Sequence, residues 1–456
     1  MNFIKLYKIP LLFAILSLAF YISFGYDLLR SDFVKLITLY AALFFIAYLF
    51  IEKFKLNFWF LACLGIVFRL IFIVATPNLS QDFYRFLWDS RLLAQGISPY
   101  LFTPDSPTAL GINITQSQQL LKGMGALNAS HFSNYPPINQ LFFAIAALFS
   151  GKSILGSVIV LRVFIILADI GILYFGKKLL EKLNLPIKNI FWYFLSPFII
   201  IELTGNLHFE GVMLFIFVWA LYFLFKGKWF WAAVLIGVSV SVKLIPLLFL
   251  PLFLKYFILK DSSDLLSNRN LGWPNLVKFY SIVGFTVLIT FSPFLSSEFI
   301  QNFLATISLW FQNFEFNASV YYVIRWIGFQ IVGWNLIETV GKVLPVLVLL
   351  FVLGFAFFRN NKTPQQLLTA MLFAISFYFL LSTTVHPWYI ATPLLLSVFT
   401  KYKFPIVWSF VVILSYSAYG NNGFDENIWL VALEYIIVIG VAVWEIFLPK
   451  TRLASF

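Results

Sequence analysis

Apolar runs of about 15 to 23 residues recur from one end of the chain to the other, and an α-helix of about 20 such residues crosses the roughly 30 Å hydrocarbon core of a bilayer. The runs lie near residues 9–25, 34–51, 58–76, 154–175, 189–202, 210–225, 229–243, 246–258, 276–295, 336–358, 364–384, 388–400, 404–419 and 428–448. They predict an all-α polytopic membrane protein of about 13 to 14 transmembrane helices, built as one integral-membrane domain over 1–456. No tandem repeat, low-complexity tract or soluble domain interrupts the pattern. The first run follows Lys5 and Lys8 as the core of a signal peptide would. It lacks a small-residue cleavage site and many spans follow, so it reads as a retained helix.

One segment leaves the topology open. Tyr135 to Gly151, YPPINQLFFAIAALFSG, offers only about 14 apolar-type positions after its double proline, and it either crosses, dips in and returns, or lies in the interface. The positive-inside rule favours a segment that does not cross, because only then does KKLLEKLNLPIK face the cytoplasm. With that choice Lys5/Lys8, Lys53/Lys55, Lys177/Lys178/Lys182/Lys188, Lys226/Lys228, Lys255/Lys260/Arg269, Arg359/Lys362, Lys401/Lys403 and Lys450/Arg452 are all cytoplasmic, as are both termini. Two long loops, 77–151 with interfacial helices and 295–335, then lie outside, together with the turns ELTGNLHFEG, KLIP and TTVHPWY.

Composition agrees. The chain is 61% hydrophobic and 11% charged, with mean hydropathy +0.91, against about 25% charged residues in soluble domains. Its formal charge of +12 sits in short clusters between apolar runs, which marks membrane loops and leaves no groove for nucleic acid. The single cysteine, Cys63, excludes an internal disulfide and a cysteine metal site. His131, His208 and His386 show no paired spacing, so a histidine metal site is not expected.

The stretch SQDFYRFLWDSRLLAQGISPY, Ser80 to Tyr100, places two acids and two arginines directly after an apolar span. As a helix it groups Asp82, Arg85 and Asp89 on one face, with Phe83, Phe86, Leu87, Ser90 and Leu93 mostly on the other. Gly96 and Pro99 end it, which describes an interfacial helix at the outer leaflet. The plain reading is that Asp82 caps this helix and Arg85 holds lipid phosphate. Lys243 stands inside an apolar run, where an unpaired ammonium costs about 2.5 to 3.5 kcal/mol on insertion scales. It is either a functional cation or a lysine snorkelling to the interface.

His208 and Glu210 flank Phe209 at an outer turn, as substrate contacts or as caps of the next helix. The HPWY turn, His386 to Tyr389, sets an imidazole and two aromatics at a proline-broken helix start, although Trp388 and Tyr389 alone are ordinary interfacial aromatics. Arg162 and Asp169, seven apart on one face, are expected to serve interhelical partners, and Arg69 to snorkel outward; Glu434 is unexplained. Sequon triplets at Asn113, Asn128 and Asn317 arise readily by chance and carry no weight.

Taken in order, QDFYRFLWDSRLLAQGISPYLFTPD, YPPINQLFFAIAALF, HFEG, SVKLIPLLFLPLF and HPWY resemble the GT-C glycosyltransferases that use polyprenyl-phosphate sugars. Within them the chain is similar to polyprenyl-phosphomannose-dependent α-mannosyltransferases and to the catalytic mannosyltransferase of GPI-anchor synthesis. The resemblance implies a flipped lipid carrier as donor, since nucleotide sugars are made in the cytoplasm. It also implies that an acid in the first large outer loop, here Asp82, acts on the acceptor. The family often shows two acids separated by one residue at that place. Here Ser80-Gln81-Asp82 lacks the first, so a divalent metal is not supported, no cofactor is required and one carboxylate is left to serve as base.

The departing lipid phosphate needs cations or donors placed in advance. Arg85, Lys243, His386 and Arg325 are the candidates for that role. The aromatics Trp88, Tyr100, Trp388 and Tyr389 are candidates to stack on sugar or prenyl groups, and Asp89, Arg91, Tyr135, His208 and Glu210 complete the expected substrate contacts. The activity expected is transfer of a hexose, mannose by the resemblance, to a lipid-linked or glycan acceptor on the extracytoplasmic face. A bacterial inner membrane is expected, because no eukaryotic sorting signal stands out. Partners are donor, acceptor and membrane lipids, with room for a small membrane subunit. A transporter or flippase stays open as an alternative, although transporters often show internal repeats and midplane substrate groups. So does a lipid-linked glycan polymerase or ligase, which keeps the outer-face chemistry and changes the donor.

Overall fold

A computed structural model describes residues 2–54, 56–259, 271–420 and 423–447. Lys55, Lys260, Arg269, Lys450 and Arg452, counted above among the cytoplasmic cations, lie outside the described residues. The described residues are predominantly helical. It opens with α1 (Asn2–Tyr26), α2 (Phe33–Tyr48), α3 (Phe58–Ile71), α4 (Asp82–Leu93), α5 (Pro107–Leu110), α6 (Ser117–Ala129), α7 (Pro137–Ser150) and α8 (Ile154–Lys182). Strand pairing among the described residues is confined to a ladder joining Tyr419 to Phe424 and Gly420 to Gly423, and a bridge between Phe316 and Thr384.

Seven helices among the described residues are long and apolar enough to cross a membrane, eight if the bent pair Ile187–Phe194 and Ile199–Gly205 counts as one span. The other apolar runs form shorter helices of 10–17 residues, including Phe58–Ile71, Pro137–Ser150, Ile245–Ile258, Pro387–Val398 and Phe404–Ala418. Proline accounts for several of these. Pro246 and Pro251, Pro387 and Pro393, and Pro405 sit in such helices, and each removes a backbone donor and restricts the residue before it.

The bent pair turns through 57°, with Pro197 at its break. A broken helix survives in a dry interior only if the freed carbonyls find protein donors. Buried Arg69 supplies one at the break, its Nη1 donating to Phe194 O at 2.8 Å, while buried Arg162 serves the far end of the pair, its Nε donating to Thr204 O and its Nη2 to Gly205 O, both at 2.8 Å, and its Nη1 to Ile73 O at 3.0 Å. Asp169, on the same helix, accepts from Arg69 Nε at 2.7 Å. Arg69 therefore does not snorkel outward. It is fully buried, and its Nη1 also donates to Gly65 O and Phe194 O. Glu434 gains a role too, accepting from Trp408 Nε1 at 3.0 Å and Asn317 Nδ2 at 3.3 Å.

Helix α4 is amphipathic as its spacing predicts, but both of its faces are covered by the chain. Phe83, Phe86, Leu87, Trp88 and Leu92 are buried, and so are Arg85, Asp89, Ser90 and Arg91, with α6 and α7 packed on the helix. The polar face can be interior because its charges are answered in place. Asp89 accepts from Arg85 Nε at 2.9 Å, Ser133 Oγ at 2.6 Å and Gln140 Nε2 at 2.9 Å. Just ahead of α4, Asn78 Nδ2 donates to Phe24 O and Leu28 O at 2.8 and 3.0 Å, and Leu79 N donates to Asn206 Oδ1 at 3.0 Å. The end of α1, the start of α4 and the turn leading to His208 are thereby tied together.

Candidate active site

Those tied segments border a cavity of about 700 Å³. Arg30 reaches it from the turn between α1 and α2, Asp82 and Arg85 from α4, and Asn128 and His131 from the end of α6 and the loop beyond it. Tyr135 and Asn139 line it at the start of α7. His208 and Glu210 come from the turn after the bent pair, and Lys243 from the break between helices Trp229–Val240 and Ile245–Leu252. His386, Trp388 and Tyr389 complete the wall from the HPWY turn. That turn is pinned by backbone pairing, with Phe316 N donating to Thr383 O at 3.1 Å and Val385 N to Phe316 O at 2.9 Å.

Asp82 is the first residue of α4, yet it is not the cap that the plain reading supposes. The cap position falls on Gln81, which makes no side-chain cap bond. The Asp82 carboxylate instead accepts from Asn128 Nδ2 at 3.5 Å. Burial raises its affinity for a proton, partly offset by the positive charges of Lys243 and Arg30 and by Asn128, and its carboxyl ends above the usual carboxylate range.

Lys243 is neither unpaired nor turned to the interface. It donates to the Glu210 carboxylate, and its Nζ stands 4.7 Å from the Tyr389 ring centroid. Arg30 lies over the Tyr419 ring with its guanidinium carbon 3.1 Å from the centroid, and it has no carboxylate partner among the described residues. The indole of Trp388 carries two imidazoles in parallel, His208 at 3.7 Å and 14°, and His386 at 4.6 Å and 4°. Burial, with the charges of Lys243 and Arg30, drives the His386 imidazole down to about 3 and that of His208 well below its usual range. Both rings are neutral near pH 7.

Several buried polar atoms on this lining have no hydrogen-bond partner among the described residues: Arg30 Nε, Arg85 Nη2, His131 Nε2, Asn139 Oδ1, His208 Nε2, Trp310 Nε1 and His386 Nδ1. Buried polar groups in folded proteins are nearly always bonded. Their concentration around one cavity gives it the donors and acceptors that a highly oxygenated ligand needs.

Of the residues singled out from sequence, Asp82, Arg85, Lys243, His386, Tyr135, His208, Glu210, Trp388 and Tyr389 line the cavity, while Trp88, Asp89, Arg91, Tyr100 and Arg325 do not. Asp89 is occupied with Arg85, Ser133 and Gln140, and Trp88 is buried inside the α4 packing. Arg91 donates to Gly151 O at 2.6 Å. Tyr100 donates to Tyr135 O at 2.6 Å and packs edge-on with Phe294 and Phe299. Arg325 pairs with Glu315. The structure adds Arg30, Asn139, Trp310 and Tyr419, which sequence reasoning passes over, and brings in Asn128, weighed only as a sequon, and His131, weighed only as a metal ligand. An arginine in a short loop that the topology places outside, against the positive-inside pattern, was the available signal for Arg30.

A many-helix membrane fold whose cavity sets two carboxylates, Asp82 and Glu210, among cations, neutral imidazoles and aromatics suits the class of integral-membrane sugar transferases. Comparison with protein families makes the class specific: residues 33–258 match the MptA_B family, described as alpha-(1->6)-mannopyranosyltransferase, N-terminal domain. Over residues 33–258, just under half of its length, the chain is similar to that mannosyltransferase family, and together with its apolar helices this supports a membrane mannosyltransferase of the GT-C type. Comparison with curated proteins finds no match.

Proposed function

We propose that the protein transfers mannose from a polyprenyl-phosphate mannose to a lipid-linked or glycan acceptor on the extracytoplasmic face of a bacterial inner membrane, both termini being cytoplasmic. The observation that carries this reading is Asp82, a partly buried carboxylate held by a single long hydrogen bond and facing a cavity with Lys243 and Arg30 close by. In the reaction the Asp82 carboxylate takes the proton of an acceptor hydroxyl as that oxygen bonds to the anomeric carbon. The bond from this carbon to the phosphate oxygen breaks, and its electron pair leaves with the polyprenyl phosphate. Lys243 and Arg30 face the charge that develops on the phosphate, and the neutral His386 and His208 offer hydrogen bonds without repelling the donor. Arg85 contributes through Nη2, its other nitrogens being engaged within the protein.

The test is transfer of labelled mannose from polyprenyl-phosphate mannose to extracted cell lipids by purified protein. Asp82→Asn is expected to lower the rate by about 10²- to 10⁴-fold, the usual contribution of a general base, with an unchanged elution profile. Equal rates in wild type and variant would remove Asp82 from the chemistry. Absence of transfer by the wild type from any polyprenyl-linked sugar would move the function toward transport.

A further inference from the structure

The cavity wall divides into two electrostatic neighbourhoods. Lys243 and Arg30 act on Asp82, His208 and His386. The charges acting on His131 are Arg85, Asp89 and Asp105 instead. Arg85 is largely spent there: Asp89 neutralises it at 2.9 Å, and its Nη1 donates to His131 O and Asn128 O at 2.8 and 3.0 Å.

Leaving aside Arg30, His208 and His386, the unsatisfied polar atoms of the lining are, apart from Arg85 Nη2, uncharged. His131 Nε2, Trp310 Nε1 and Asn139 Oδ1 are buried, lack a hydrogen-bond partner among the described residues, and belong to residues on the cavity lining. His131 Nδ1 lies 3.2 Å from Phe132 O. A nitrogen facing a carbonyl carries the proton, so Nε2 is assigned the free lone pair. Burial and the Arg85 charge hold this imidazole at about 4, so it stays neutral in that tautomer at neutral pH. The Trp310 ring meets the His131 imidazole edge-on at 5.4 Å and 73° and that of His386 at 6.2 Å and 76°, so it stands where the two neighbourhoods adjoin. One neutral acceptor, one neutral donor and one amide oxygen beside an indole match the hydroxyls and C–H faces of a sugar, and they answer a phosphate poorly.

We propose that His131, Trp310 and Asn139 form a subsite, adjoining the cationic wall at Trp310, for an uncharged, hydroxyl-rich acceptor sugar, with His131 Nε2 accepting a hydrogen bond from a hydroxyl and Trp310 Nε1 donating to one. The assignment of this subsite to the acceptor rests on the transferase reading above. His131 is a positioning residue here: it holds the acceptor near Asp82 and takes no part in proton transfer.

The experiment measures binding of two probes separately to the full chain in lipid nanodiscs, methyl α-mannoside for the neutral wall and undecaprenyl phosphate for the cationic one. His131→Ala is expected to weaken methyl α-mannoside about tenfold, the value of a buried hydrogen bond in a site left unsatisfied, and to leave undecaprenyl phosphate within about twofold. Lys243→Ala is expected to do the reverse. His131→Gln, which restores an acceptor oxygen and keeps the volume, should recover part of the sugar affinity and guards against a folding defect. Sugar binding unaffected by His131→Ala, equal loss of both probes, or a wild type that binds the lipid phosphate but not the sugar would each overturn the subsite while leaving the donor assignment in place. A wild type whose sugar binding depends on His131 but which ignores undecaprenyl phosphate would keep the subsite and sink the donor reading instead.

Discussion

In the proposed reaction Asp82 has to be ionised to accept a proton, and its burial makes ionisation harder than for an ordinary carboxyl near 3.9. A carboxyl with a raised value is protonated first as pH falls. The acid limb of kcat/KM is therefore expected at a pH above that ordinary value, and a profile measured from pH 4 to 8 on the purified protein checks it; a flat profile through that range would deny Asp82 its role. The imidazoles act in the opposite sense on stability. His131 at about 4 and His386 at about 3 are both held below the ordinary value near 6.5, so below 6.5 the unfolded chain takes up protons that the folded one refuses, and stability is lost as pH falls toward 4 and 3. At this scale the sequence was readable where a charge stood out against apolar surroundings, as at Asp82 and Lys243. It could not rank Trp88, Arg91 and Tyr100 against Tyr135, because α4 and its surroundings are buried on all sides. Helical spacing sorts a buried face from an exposed one, and here no such contrast exists.

At the scale of elements, the pattern of apolar runs located the helices, while their lengths were set by side chains far away in sequence. The break at Pro197 is visible as a proline, but the donor that answers Phe194 O beside it is Arg69, 125 positions earlier in the chain. The pairing of Arg69 with Asp169 across 100 residues is equally invisible: helical spacing provides Asp169 with an interhelical partner but does not name it, and Arg69 by itself reads as snorkelling outward. Removing one member leaves a buried charge unpaired. Asp169→Ala is accordingly expected to cost about 3 to 5 kcal/mol, whereas replacing both by apolar residues, Arg69→Met with Asp169→Leu, should cost much less. Thermal unfolding of the detergent-solubilised variants decides between them, and equal losses would contradict this account of the pair.

For the whole molecule, the proposed reaction requires the cavity to face away from the cytoplasm. In a chain with Cys63 replaced by serine, Ser130→Cys beside His131 and Lys226→Cys at the turn after helix Glu210–Phe225 report the two faces, both positions being exposed. A membrane-impermeant maleimide is expected to label the cysteine at 130 in intact cells and that at 226 only after permeabilisation; the opposite pattern would invert the topology. The ties made by Asn78 and Leu79 bear on how such a protein is made. The backbone donor just ahead of the Asp82 helix waits for an acceptor on Asn206, 127 positions later. A nascent chain therefore inserts its first spans well before this anchor exists, and the wall of the cavity is complete only when synthesis has passed the His386–Tyr389 turn.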